Sequence, residues 1–165
     1  MSDLVERARA YATRAHKRIE HRRKYSNQPY DVHLEAVAKL VATVSDDPET
    51  IAAAWLHDTV EDTDTSPEEI ETRFGYAVRS LVMEVTDDKS LEKQERKRRQ
   101  IEKAPRLSPR AKIIKLADKI ANLTRLDVEL IAGRGGILDE QALAIPEARV
   151  QLLDCLRHPI SPSWD

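Results

Sequence analysis

Residues 53–64 read AAWLHDTVEDTD: an apolar run leads straight into His57 and Asp58, and Glu61, Asp62 and Asp64 follow within six residues. Acidic side chains repel one another, and the C-terminal end of a helix disfavours negative charge. Something positive must sit among them. Neighbouring side chains on a helix point about 100° apart, so His57 and Asp58 can share one ion only if it lies close to the helix, near its end.

Working outward, the apolar period is helical nearly throughout. Leu4, Ala8, Tyr11, Ala12 and Ala15 recur at spacings of three and four, predicting a first helix that runs into the basic cluster near Arg22. SNQPY (26–30) reads as a turn, and a second helix carries Ala36, Val37, Leu40, Val41 and Val44. Asp47-Pro48 is a helix start, cap followed by proline, and that third helix ends in the quoted stretch. Ser66-Pro67-Glu68-Glu69 has the form of a capping box, and Gly75 suits the stop that follows. Further helices are predicted over roughly 76–86, 90–104, 109–126 and 140–157, with GRGGILD (133–139) as the loosest part and 158–165 as a frayed tail. No strand pattern or repeat emerges. The expected fold is all-α, a compact single-domain bundle over residues 1–165 built around a metal site.

The composition excludes several classes. Four glycines argue against a β-barrel, a Rossmann fold or a glycine-rich phosphate loop. A formal net charge of −2 points to neither nucleic acid nor membrane, and no apolar run approaches the roughly 20 residues of a membrane span. MSDLVERARA lacks a signal-peptide core, and Cys155 stands alone, so no disulfide framework or cysteine-rich zinc site is expected. A cytoplasmic protein is the expectation, with a homodimer left open.

The ion implied by His57 and Asp58 needs further ligands. His33 lies at the start of the second helix, and Asp118 sits in KLADKIANL (115–123), where a charge is costly to bury without a partner. Two histidines and two aspartates suit a divalent transition metal; without cysteine, Mn²⁺ is preferred, with Fe²⁺ and Zn²⁺ as alternatives. Taken singly each residue has a blander reading. A histidine at a helix start is more often a cap or a surface residue, and Asp118 could pair with Lys115 or Lys119.

The pattern His33, then His57-Asp58, then Asp118 resembles the HD superfamily of metal-dependent phosphohydrolases. HDTVEDTDTSPEEIETRFG (57–75), EVTDDKSLEKQERKRRQIEKAP (84–105) and AKIIKLADKIANL (111–123) closely resemble the hydrolase domain of RelA/SpoT homologues, in particular the single-domain small alarmone hydrolases. The resemblance implies an HD-type helical bundle that removes the 3′-diphosphate of guanosine tetra- and pentaphosphate as pyrophosphate, with Mn²⁺. It implies His33, His57, Asp58 and Asp118 as metal ligands. It also implies Glu61 and Asp62 as the catalytic acidic pair that orients and deprotonates the attacking water. Spacing agrees for Glu61, which stands one turn beyond His57 on the same face.

A substrate with two diphosphates needs cations. RAHKRIEHRRK (14–24) holds six Lys/Arg against one acid, and residues 92–115 hold ten against three. Such runs are usually solvated helix faces, and little aromatic interleaving favours nucleic acid. The resemblance implies substrate contacts from Arg22, Arg23, Lys24, Lys93, Asn122 and Arg149, with Tyr30 packed beneath the site. The sequence departs from relatives at YSNQ (25–28), one residue shorter, at Leu34 in place of a common proline, and at the leucines just after Arg149, where aromatics are expected. Preference between guanine and adenine alarmones therefore stays open. The alternatives are the same chemistry on an adenine alarmone or on the 2′-phosphate of NADPH, and a non-catalytic alarmone sensor.

Overall fold

The computed structural model describes residues 2–24 and 26–131, with side chains as far as Leu123. Arg149, Cys155, the loop 133–139, the predicted last helix and the tail 158–165 lie outside the described residues. Within them the chain is helical: α1 (Asp3–Arg18), α2 (Asp31–Ala42), α3 (Pro48–Leu56), α4 (Thr59–Asp62), α5 (Pro67–Phe74), α6 (Tyr76–Val85), α7 (Lys93–Lys103), a 3₁₀ turn (Ala104–Arg106) and α8 (Pro109–Ile131). The expected all-α class holds.

Helix α3 is the hub. Ala52, Ala53, Ala54, Trp55 and Leu56 are all buried, so this helix is apolar on every side and must be surrounded. It packs against α1, α2, α6 and α8, and its three alanines let those neighbours come close. Around it lie Leu34, Val37 and Val41 of α2, Val78 and Val82 of α6, and Ile114 of α8, none with measurable exposure. Helix α3 starts where the sequence predicts: Asp47 accepts from the N–H groups of Glu49 (3.3 Å) and Thr50 (3.1 Å). Arg110 of α8 pairs with Asp47 and Glu49 and donates to Thr50 Oγ1 at 2.8 Å, tying the starts of the two helices together.

Helix α1 stops earlier than predicted. It ends at Arg18, and Glu20 takes the left-handed conformation (φ 51°), which turns the chain out of the helix. The segment then folds back on itself: Arg22 bridges Pro29, and Arg23 N–H donates to Gln28 C=O at 2.9 Å. The capping box of α5 is half formed. Ser66 Oγ accepts from Glu69 N–H at 3.1 Å, but the Glu69 carboxylate turns to Arg73 (2.9 Å). Helix α7 buries no residue and carries its own ion pairs, Glu95 with Arg98 and Arg99, and Glu102 with Arg98. Helix α8 runs past the predicted Leu126 to Ile131.

Gly75 joins α5 to α6 at φ 92°, ψ 166°, a conformation essentially confined to glycine. A Cβ there would meet nothing within 4 Å, so substitution acts on the backbone alone. Gly75→Ala is expected to lower unfolding free energy by about 1–3 kcal/mol, read by chemical denaturation; an unchanged midpoint would show that the turn relaxes without cost.

Candidate metal centre

The end of α3 delivers His57 and Asp58 into a space walled by α2 and α8. His57 Nε2 lies 3.0 Å from Asp58 Oδ2 and 3.8 Å from Asp118 Oδ1. His33 Nε2 lies 3.1 Å from Asp118 Oδ1 and 3.7 Å from Asp58 Oδ2. Ligand atoms of His33, His57 and Asp58 all fall within 4.8 Å of one another, and Asp118 joins them through both imidazoles. The four residues predicted from the sequence are therefore brought together. Both histidines are buried, and the two carboxylates keep a narrow exposure of 18% and 16%.

The tautomer of His57 follows from its surroundings. Its Nδ1 faces the carbonyl of Ala54 at 2.8 Å, and a carbonyl can only accept, so Nδ1 carries the proton. Nε2 is buried and makes no hydrogen bond despite the nearby carboxylate. A buried lone pair facing two carboxylates is the donor set of a divalent cation. The electrostatics agree. Burial opposes a charged His57, but Asp58 and Asp118 outweigh it and raise the imidazole to about 10. Burial pushes Asp58 up, and His57 beside it more than reverses this; Asp118 is held down in the same way by both histidines. A proton or a metal ion is required at this point.

The HD domain family model matches residues 8–140. The chain belongs to the HD domain family. The enzyme called guanosine-3′,5′-bis(diphosphate) 3′-pyrophosphohydrolase MESH1 is 52% identical in Mus musculus over 116 residues, 68% of this chain and 65% of that protein. The Homo sapiens protein of that name is 48% identical over 128 residues, 76% of this chain and 70% of that protein. A solved metazoan ortholog of SpoT, described as hydrolysing ppGpp, superposes with a TM-score of 0.83 at 41% identity over 95% of this chain and 87% of its own.

Around this HD-domain centre the other predicted residues divide. Asn122 donates from Nδ2 to Asp118 (2.9 Å), and Arg23 donates to Asn122 Oδ1 (2.9 Å), so both stand next to the ligand set. Arg22 donates to the Asn27 carbonyl within its own turn (3.0 Å). Lys24 and Lys93 are exposed. Glu61 is half-buried and accepts from Asp87 N–H at 3.1 Å; burial first, and then the charges of Asp58 and Asp87, raise its carboxyl. Asp62 pairs with Lys89, and His21 Nδ1 is 3.9 Å away. Lys115, offered as a partner for Asp118, bonds Asp87 instead at 3.2 Å.

Sequence reading missed a ring cluster. Tyr30 was expected only to pack beneath the site, yet its hydroxyl donates to Asp58 Oδ2 at 2.6 Å. His21 stacks on Tyr30 with centroids 3.9 Å apart and planes within 9°, and buried His16 stacks behind at 4.8 Å. The only signal in the sequence was two histidines in an otherwise basic run.

Two expectations follow. Asp58→Ala or His57→Ala should leave the purified protein without stoichiometric metal, whereas Tyr30→Phe should retain it with affinity lowered about 10–100-fold. Elemental analysis and chelator competition measure both, and full metal content in Asp58→Ala would remove it from the ligand set. Separately, burial and then the neighbouring His21 hold the His16 imidazole down to about 4 from the usual 6.5. The unfolded chain therefore binds more protons between these values, and this contribution, present above pH 6.5, is lost as pH falls towards 4, amounting to roughly 3 kcal/mol. Denaturation of metal-free protein should show a shallower acid slope in His16→Phe than in the parent; equal slopes would contradict it.

Proposed function

We propose that this chain hydrolyses guanosine 3′,5′-bis(diphosphate) at its 3′ position, giving GDP (GTP from the pentaphosphate) and pyrophosphate, with Mn²⁺ in the HD-domain centre. The observation that carries the reading is the convergence of His33, His57, Asp58 and Asp118 around one point, with Glu61 and Asp62 on the adjoining α4. Relatives near 50% identity that bear the name of this activity support the choice of substrate. Mn²⁺ is the proposed ion because the set is two imidazoles and two carboxylates with no thiolate.

The four ligands would hold a dication that supplies Lewis-acid charge and makes nearby water more acidic. The chain's own residues do the rest. Glu61 takes the proton of the attacking water; its raised carboxyl and its anchor on the Asp87 N–H give it both basicity and a fixed direction. Water adds to the phosphorus attached to the ribose 3′ oxygen, and the bond from that phosphorus to the 3′ oxygen breaks. The 3′ oxygen leaves as a hydroxyl once it gains a proton, which offsets the one Glu61 removed. Asp62, gripped by Lys89 and facing His21, helps to orient the water. Arg23 presents a guanidinium beside the ligands for phosphate, and Asn122 fixes it there. Arg22, Lys24, Lys93 and Arg149 complete the proposed substrate contacts.

Glu61→Gln should keep bound metal and lose about 10²–10⁴-fold in kcat. Release of pyrophosphate from guanosine tetraphosphate, with Mn²⁺ and then with chelator, tests the whole reading. Parental turnover in Glu61→Gln would dismiss Glu61 as the base. Absence of release from metal-loaded parent would instead redirect the assignment to adenine alarmones or the NADPH 2′-phosphate.

A further inference from the structure

The basic run RAHKRIEHRRK is split by the fold. Beyond the left-handed turn at Glu20, Arg23 goes to the metal centre. Before it, Arg14, Lys17 and Arg18 stay on α1 at spacings of three and four, on one helix face. That face meets α5 across a cavity of about 470 Å³ lined by Tyr11, Arg14, Ala15, Lys17, Arg18, Glu69 and Arg73. Four cations therefore surround one concavity against a single lining carboxylate. None of the lining residues belongs to the metal centre.

The arrangement is partly preorganised. Tyr11 is fixed by its bond to Thr65 (3.1 Å) and its edge contact with Phe74, and the Arg73 guanidinium lies over the Tyr11 ring at 5.2 Å. Arg73 is shared with Glu69, and Arg18 reaches Asp64 at 2.8 Å. Both pairs are exposed and so weakly held, which leaves their guanidiniums available to a stronger acceptor. Arg14 and Lys17 have no ion-pair partner among the described residues. The volume lies in the range of small-ligand pockets, about 300–1,000 Å³, and exceeds what a single ion fills. Arginines in a fork geometry favour phosphate oxygens.

We propose that this cavity is a second anion site that takes a diphosphate group, either free pyrophosphate or the diphosphate of a nucleotide. The occupant would draw Arg18 from Asp64, which stands two residues after Asp62. The site is thus joined to the segment carrying the acidic pair. The inference does not depend on which nucleotide the metal centre hydrolyses.

The test is calorimetric titration of the full, metal-loaded chain with inorganic pyrophosphate and, separately, with GDP, at equal free Mn²⁺ in cell and syringe. The parent is compared with Arg14→Ala/Lys17→Ala; both side chains are exposed, and an unchanged unfolding midpoint without ligand verifies the fold. The expected result is one equivalent fewer bound, or at least a tenfold weaker second event, in the double variant. Loss with both probes supports recognition of the diphosphate itself, and loss with GDP alone supports a nucleotide occupant. Superimposable isotherms for parent and variant with both probes would overturn the proposal and leave these cations as a solvated helix face.

Discussion

Two carboxylates and two imidazoles share one largely buried space, and the rest of the fold serves to put them there. Asp58 and Asp118 would repel each other strongly in a region of low polarity if nothing positive lay between them. The chain therefore brings each carboxylate to both histidines and adds donors behind them, Tyr30 on Asp58 and Asn122 on Asp118. Delivering this set requires α3 to end at a fixed point. Its alanine-rich body, buried from Ala52 to Leu56, lets α1, α2, α6 and α8 close around it, and the Arg110 clamp sets its other end. Core and chemistry are thus one problem: a helix that shifted by a residue would carry His57 and Asp58 together away from His33 and Asp118.

What could be read from the sequence was what depends on neighbours along the chain. Asp47-Pro48, Ser66-Pro67 and Gly75 are local signals for helix ends, and each stands where expected. Asp118 was legible as a candidate because a charge in an apolar helical stretch demands a partner, and the full set of four came with the family resemblance. The early stop of α1 was not legible, since the residue that turns the chain is Glu20, with no glycine or proline to mark it. Nor was the stack of Tyr30, His21 and His16: it exists only once the turn after α1 has folded those rings together. The Glu69 half of the capping box failed because Arg73, one turn on, offers a charged partner that a backbone N–H cannot match.

Asn122 shows how the proposed substrate contact and ligand geometry are joined. Arg23 can only donate and the Asp118 carboxylate can only accept, so the amide orientation is settled without ambiguity: Oδ1 towards Arg23, Nδ2 towards Asp118. No charged side chain could replace it. An aspartate at 122 would lose the donor to Asp118 and add a third carboxylate to the pocket; a lysine would lose the acceptor for Arg23. The amide holds a cation beside an acidic ligand without letting the two pair directly. Direct pairing would spend the guanidinium charge on Asp118 and weaken that carboxylate as a ligand. With the amide between them, the Arg23 guanidinium and the Asp118 carboxylate are both held in place without either being satisfied by the other, as the proposed phosphate contact and metal ligation require.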